Sequence, residues 1–159
     1  VAKAYDTAVL TAMATNLTEN AVDGDPVTTA SIFGAVEEIR GAGEMGQLYG
    51  ILSTAQASAL MQSLWADGNY AGGDFQTEAL RNGYVGMFAG VKLFQSALVP
   101  AAHSGFIFGQ DACRLAMQKN ASVEVQRRAA AVGYDVVASI HAGVGVTDAT
   151  RGIQLINVA

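Results

Sequence analysis

A glycine-rich loop is the most recognisable chemical motif in the sequence. Gly41-Ala-Gly43-Glu-Met-Gly46 matches the G-x-G-x-x-G pattern of dinucleotide-binding loops. Such loops follow a strand and precede a helix, so that backbone N–H groups at the helix N-terminus meet the pyrophosphate. Here the predicted helix comes before the motif and the predicted strand after it, and Glu44 would place a negative charge beside the phosphates. The pattern therefore predicts a loop that ends a helix, and we assign no cofactor to it.

Two histidines are the imidazole bases that the sequence offers for catalysis. His103 lies in a loop of small residues, and His141 stands at the end of a strand with alternating polarity. Acyl transfer needs a nucleophile, a base and an orienting carboxylate, and the G-x-S-x-G turn that presents a nucleophilic serine is absent. We therefore assign no catalytic residue. A small oligomeric α+β enzyme that uses His103 or His141 is kept as the alternative from a different class of protein.

Metal-ligating side chains are sparse and widely spaced. One cysteine, Cys113, and the two histidines lack the close ligand pairs that zinc sites use, and a single cysteine excludes an intrachain disulfide. Asp23 and Asp25 have the oxygen ligands that a hard cation prefers, but a turn before a capped helix explains them without an ion. We therefore predict no metal site, and we expect Cys113 to be a small packed thiol in a helix.

Composition and charge exclude further classes of protein. Of the 159 residues, 14% are charged, 51% are hydrophobic, and the net charge is −5. An acidic chain lacks the basic face of a dedicated nucleic-acid-binding protein. The longest uncharged stretch, residues 93–110, is interrupted by polar residues and does not fit a membrane span. A surface this poor in charge predicts that part of the exterior is buried against other subunits.

The elements that would position these residues alternate between helices and strands. Helices are predicted at residues 3–14, from a cap at Asp25-Pro26 through Ile39, from Ser53 or Thr54 onward, and at residues 110–119. In the second of these helices, the apolar residues at positions 32, 33, 36 and 39 form the expected core stripe. Strands are predicted at residues 48–52, 84–88, 91–94, 105–109 and in the segment from 122 to the end. Residues 20–26 and 67–74 are predicted to be turns or loops. Helices early in the chain and strands late in the chain favour an α+β or mixed fold.

Three stretches of the chain together resemble a known family. The first stretch, residues 28–61, is the helix Ile32-Phe-Gly-Ala-Val-Glu-Glu-Ile39, the strand Leu48-Tyr-Gly-Ile-Leu52 and a second helix. The second is the glycine-punctuated hairpin of residues 81–100, and the third, residues 105–159, is a segment that leads into a helix and ends in long strands. In this order they resemble the major capsid proteins of tailed bacteriophages, which have the Hong Kong 97-type fold. The resemblance covers most of the chain, and the glycine hairpin is its most specific part.

The resemblance implies an architecture for each part of the chain. Residues 1–20 would be the distal spine helix of the P-domain, residues 21–119 the A-domain, and residues 120–159 the P-domain strands and the C-terminus. The A-domain would be a mixed sheet flanked by helices, and the P-domain would contain long antiparallel strands. The N-terminal arm and E-loop of the family are not seen in this sequence, which favours an incomplete or processed chain.

The resemblance also implies a function, and it carries over no catalytic motif. The protein would be a non-enzymatic subunit of an icosahedral capsid that forms pentamers and hexamers and encloses double-stranded DNA. Its main partner would be itself, with portal, scaffold or decoration proteins as further candidates, weak non-specific DNA contact and no membrane. Its location would be the virion capsid, assembled in the bacterial host cytoplasm. An encapsulin-like compartment shell is the alternative with the same fold, and an interaction module of a larger protein is a third possibility.

Overall fold

The computed structural model describes residues 2–23, 26–66, 84–128 and 133–158. Three helices are present in this part of the chain: α1 (Ala2–Asn16), α2 (Thr29–Gly41) and α3 (Thr54–Ala66). Its strands are β1 (Thr18–Asp23), β2 (Leu48–Ser53), β3 (Tyr84–Phe88), β4 (Val91–Ser96), β5 (His103–Gly109), β6 (Cys113–Arg128), β7 (Gly133–Val146) and β8 (Gly152–Val158). A short 3₁₀ helix, Ala149–Arg151, precedes β8. The predicted α+β class is confirmed, while the predicted loop at 67–74 lies outside the described residues.

The strands form two separate sheets. The larger sheet has six strands in the order β1-β8-β5-β2-β4-β3. It is mixed, because the pairs β1–β8 and β2–β4 are parallel and the other pairs are antiparallel. The second sheet is the antiparallel pair β6–β7, which is inserted between β5 and β8. The predicted mixed sheet and long antiparallel strands are therefore both confirmed.

Helices α2 and α3 pack on one face of the six-stranded sheet. Their apolar side chains meet alternate residues of β2, β4, β5 and β8, and together these residues form the main core. The buried members are Val27, Ile32, Ala35, Ile39, Leu48, Leu52, Ala57, Leu60, Val91, Leu93, Ile107, Ile153 and Leu155. Phe33 was expected in this stripe, but it is mostly exposed and packs edge-to-face on Phe88 with ring centroids 5.3 Å apart.

Helix α1 covers part of the opposite face of the same sheet. Leu10, Met13 and Leu17 pack on Phe106, whose side chain points away from the α2–α3 layer because it alternates with Ile107. Strand β7 also contacts α1. Helix α1 therefore lies where the six-stranded sheet and the β6–β7 pair meet.

Three local predictions are wrong. Helix α2 is capped by Thr28, whose Oγ1 accepts a hydrogen bond from Ser31 N at 3.3 Å, and not by Asp25. Part of the predicted turn at 20–26 is the edge strand β1, which pairs with the last strand of the chain. The predicted helix at 110–119, which contains Cys113, is the first half of β6. Both strands are formed by pairing with segments distant in sequence, which local periodicity does not reveal.

The lobe boundary implied by the resemblance falls inside a continuous element. Residues 119 and 120 are both in β6, and the two-stranded sheet as a whole spans residues 113–146. Strand β8, in the last predicted lobe, belongs to the six-stranded sheet. The division into lobes stays a prediction.

Candidate interaction surface

The β6–β7 pair, called the arm below, has one apolar and one polar face. Residues directly opposite each other across the two strands share a face, and alternate residues of a strand share a face. The pairs Leu115–Val144 and Val125–Val136 therefore lie on the same side. The apolar face consists of Cys113, Leu115, Met117, Val123, Val125, Tyr134, Val136, Ala138, Ile140, Ala142, Val144 and Val146, with Arg127 at its far end.

Two irregularities in β6 do not disturb this division. Between Met117 and Ser122 strand β6 advances five residues while its partner passes from Ala142 to Ser139, which is three residues. The two extra residues in β6 form bulges, which bend a strand and increase its twist. Because their number is even, Val123 returns to the face of Met117.

The apolar face is covered only near its base. There Cys113 and Val146 pack against the cluster formed by Leu10 and Met13 of α1. Farther along the arm, six large apolar side chains are between 48% and 71% exposed. They are Leu115, Met117, Val123, Val125, Tyr134 and Val136.

Such exposure is costly for an isolated pair of strands. A two-stranded sheet is at best marginally stable in water without another surface against its apolar side. A contiguous apolar patch on a soluble protein indicates a site of protein–protein contact. The apolar face of the arm is therefore the strongest candidate interaction surface in the described residues.

The opposite face of the arm is polar and carries its own ion pairs. Lys119 Nζ lies 3.4 Å from Glu124 Oε1, and Arg128 Nη1 lies 3.9 Å from Asp135 Oδ1. These pairs are exposed and contribute little to stability. They keep this side of the arm hydrated, so the two faces of the arm differ sharply in chemistry.

The two candidate catalytic histidines lie in different sheets. His103 is in β5, and its Nε2 is 3.0 Å from Gln154 Oε1. The amide nitrogen of the buried Gln154 donates to Leu17 O at 3.0 Å, so Oε1 accepts and His103 Nε2 donates. His141 is exposed on the polar face of the arm, opposite Lys119. His103 thus joins a hydrogen-bonded chain that links β5, β8 and the end of α1.

The remaining candidates from the sequence are Cys113 and the side chains that could bind a metal ion. Burial raises the pKa of the Cys113 thiol above its ordinary value, so the thiol is a weak nucleophile. Across the described residues, no group of three His, Cys, Asp or Glu side chains is placed to hold a metal ion. Asp25 lies outside the described residues. No helix in the described part of the chain is long and apolar enough to span a membrane.

The glycine-rich loop ends helix α2, as predicted. The helix stops at Gly41, and Gly43 follows with a φ of 93°. The side chain of Glu44 turns inward, where Oε1 accepts from Gly46 N at 2.7 Å and Oε2 accepts from Arg151 Nη1 at 3.2 Å. Sequence reasoning missed this ion pair, because 107 residues separate its partners.

Comparison with known proteins places this geometry in a recognised class. No protein-family model and no curated protein matches the chain. Solved structures do match: a chain of Mycobacterium phage Che8 is 20% identical over 97% of this chain, with a TM-score of 0.75. The capsid of cyanophage P-SCSP1u is 16% identical over 99% of this chain, with a TM-score of 0.77. A virus-like particle from Pyrococcus furiosus is 10% identical over 96% of this chain, with a TM-score of 0.67.

The fold is therefore that of shell-forming proteins. More narrowly, it is the Hong Kong 97-type fold, the fold of the major capsid proteins of tailed bacteriophages. The chain spans 58% of the Che8 chain, 62% of the cyanophage chain and 61% of the Pyrococcus chain.

Proposed function

We propose that this protein is a structural subunit of the icosahedral capsid of a tailed bacteriophage. In this proposal, copies of the subunit form pentamers and hexamers, and these assemble into a shell that encloses double-stranded DNA. The observation that carries the proposal is the exposed apolar face of the arm on a Hong Kong 97-type fold. Burial of that face in repeated contacts between subunits would supply the free energy of assembly.

The charge of the chain fits a container better than a DNA-binding protein. With a net charge of −5, the chain as a whole has no excess of positive charge to displace counterions from phosphates. DNA would therefore contact the shell weakly and without sequence preference. Portal, scaffold and decoration proteins are the further partners we propose, and the virion, assembled in the host cytoplasm, is the proposed location.

The division into lobes is part of this proposal. Residues 1–20 would act as the distal spine helix, residues 21–119 as the A-domain and residues 120–159 as the P-domain strands and C-terminus. Helix α1 supports the first assignment, because it packs along the base of the arm. The protein acts through contacts between subunits in this proposal, and it has no catalytic role.

A compartment shell that encloses proteins instead of a genome is the second candidate. The likeness to a virus-like particle from Pyrococcus furiosus is the observation that favours it, because that structure is a particle described as virus-like and not as a phage capsid. Both candidates predict large closed particles, so the content of the particles separates them.

The test is the size and content of the particles formed by the intact protein. Light scattering and negative-stain electron microscopy should detect closed shells, and nuclease-protected DNA should be recovered from particles of the native source. Particles that hold protein cargo and no DNA would favour the second candidate. A species between a dimer and a hexamer at all concentrations would overturn both shell proposals and favour the enzyme alternative.

A further inference from the structure

The arm joins the six-stranded sheet through two short connections. One is residues 110–112, between β5 and β6, and the other is residues 147–151, between β7 and β8. The two are bonded to each other, because Ala112 O accepts from Thr147 N at 2.8 Å and from Asp148 N at 3.4 Å. We call these two connections the junction.

One guanidinium group contacts both connections and a third segment. Arg151 Nε donates to Asp148 Oδ2 at 3.1 Å, and Arg151 Nη1 donates to Glu44 Oε2 at 3.2 Å. The same Nη1 lies 3.9 Å from Asp111 Oδ2 in the other connection. Arg151 therefore links the two connections of the junction to the loop after α2.

The acceptor on that loop is rigidly held. The Glu44 side chain is only 9% exposed, and the second arginine of this region, Arg40, donates from Nη1 to Glu44 O and Gly46 O, both at 2.9 Å. Space for the Glu44 side chain depends on Gly109, the last residue of β5. A Cβ atom at Gly109 would lie 2.8 Å from Glu44 Cγ. The carboxylate is thus held in position by several contacts that do not involve Arg151.

A small rotation at the junction displaces the tip of the arm by a large distance, because the arm is long and mostly uncovered. The 16 residues of β6 span about 50 Å at about 3.3 Å per residue. Rotation by about 10° at the base would therefore move the tip by about 9 Å. Beyond Cys113 and Val146 the apolar face of the arm is largely uncovered, so the packing at its base and the contacts at the junction together decide where the tip lies.

We propose that Arg151 is an electrostatic clamp that sets the orientation of the arm relative to the six-stranded sheet. With the clamp closed, Glu44, Asp111 and Asp148 converge on one guanidinium and the arm keeps a single direction. Without the guanidinium, the buried Glu44 carboxylate keeps its hydrogen bond from Gly46 N but loses its positively charged partner, a state that proteins tolerate poorly. The junction then opens, and the arm changes direction while both sheets stay intact.

The test compares two arginines that share one carboxylate. Arg151→Gln removes the clamp, while the control Arg114→Gln removes an exposed arginine that contacts Asp111 at 3.5 Å and leaves Glu44 and Asp148 paired. Hydrogen exchange on unassembled subunits reports on the amides of Gly46, Thr147 and Asp148, which lie in the clamped segments. We expect Arg151→Gln to speed their exchange about tenfold or more, and Arg114→Gln to leave it unchanged.

A second variant distinguishes local opening of the junction from a loss of stability of the whole fold. Glu44→Gln keeps the shape of the side chain and removes its charge, so it should speed the same amides, and the double variant should add little to either single change. Equal exchange in the Arg151→Gln and Arg114→Gln variants would overturn the proposal. Faster exchange of β2 and β5 by the same factor would also overturn it, because Arg151 would then stabilise the whole fold. Hydrogen exchange at the junction and in β2 and β5 is measured on unassembled subunits. The clamp is therefore tested independently of the proposed function.

Discussion

Two neighbouring valines in β7 provide a sharp test of which side of the arm makes contacts. Val136 lies on the apolar face and is 64% exposed, while Val137 lies on the polar face and is 58% exposed. They have the same side chain, similar exposure and consecutive positions. Threonine keeps the β-branched shape that suits a strand and replaces one methyl group by a hydroxyl. Val136→Thr and Val137→Thr are therefore a matched pair.

The expected effect follows from the surface that each valine still exposes. Full burial of a valine side chain contributes about 1.5–3 kcal/mol. With roughly two-thirds of Val136 still accessible, its burial in a subunit contact would contribute about 1–2 kcal/mol. A threonine hydroxyl buried there without a partner would cost about 1–3 kcal/mol. Val136→Thr should therefore weaken each contact about tenfold or more.

Assembly of the intact protein is measured by light scattering over a concentration series, with circular dichroism as the check on folding. The concentration at which particles appear should rise about tenfold or more for Val136→Thr and stay close to the wild-type value for Val137→Thr. Equal shifts for the two variants would refute the assignment of the contact to the apolar face. An unchanged threshold for Val136→Thr would refute it as well.

Two further predictions concern single residues. Ala89 and Gly90 join β3 to β4 with φ values of 51° and 78°, the signature of a type I′ turn that favours asparagine at its first position, so Ala89→Asn should raise the free energy of unfolding by about 0.5 kcal/mol. Thermal unfolding measures this change, and Ala101→Asn, at an exposed turn without a positive φ, should not stabilise; a gain of equal size there would contradict the reasoning. Because burial raises its pKa, the Cys113 thiol should react with iodoacetamide more slowly at about pH 8 than a free cysteine peptide, and its rate should keep rising at pH values where the peptide rate has levelled off. Coincident pH profiles would show that the thiol is not shielded.

Local sequence patterns predicted an element correctly wherever that element is stabilised by residues close to it in the sequence. Helix α2 shows a 3.6-residue apolar stripe and a glycine-rich end, and β2 is a short apolar run that ends at the cap of the next helix. The hairpin β3–β4 closes within two residues, so its partner strands are adjacent in the chain. These elements and the order in which they occur carried the resemblance to capsid proteins.

The sequence predicted that an interaction surface exists, but it did not predict where that surface lies. Low charge predicted that part of the exterior is covered, but composition does not say which part. The stretch that begins at Cys113 fits a helix as well as a strand when it is considered alone. Pairing of Cys113 with Val146 and of Leu115 with Val144 decides for a strand, and it places most of the large apolar side chains of the arm on one face, with Val137 on the other.

By itself, the sequence determined the fold class, the main helices, the short hairpin and the absence of a recognisable catalytic motif. Only the tertiary structure decided that β1 pairs with β8, that the arm is amphipathic, and that Arg151 meets Glu44. The physical reason is the range of the interactions involved. Helix stripes, caps and tight turns depend on residues a few positions apart, whereas strand ladders and buried ion pairs join residues that come together only when the chain has folded.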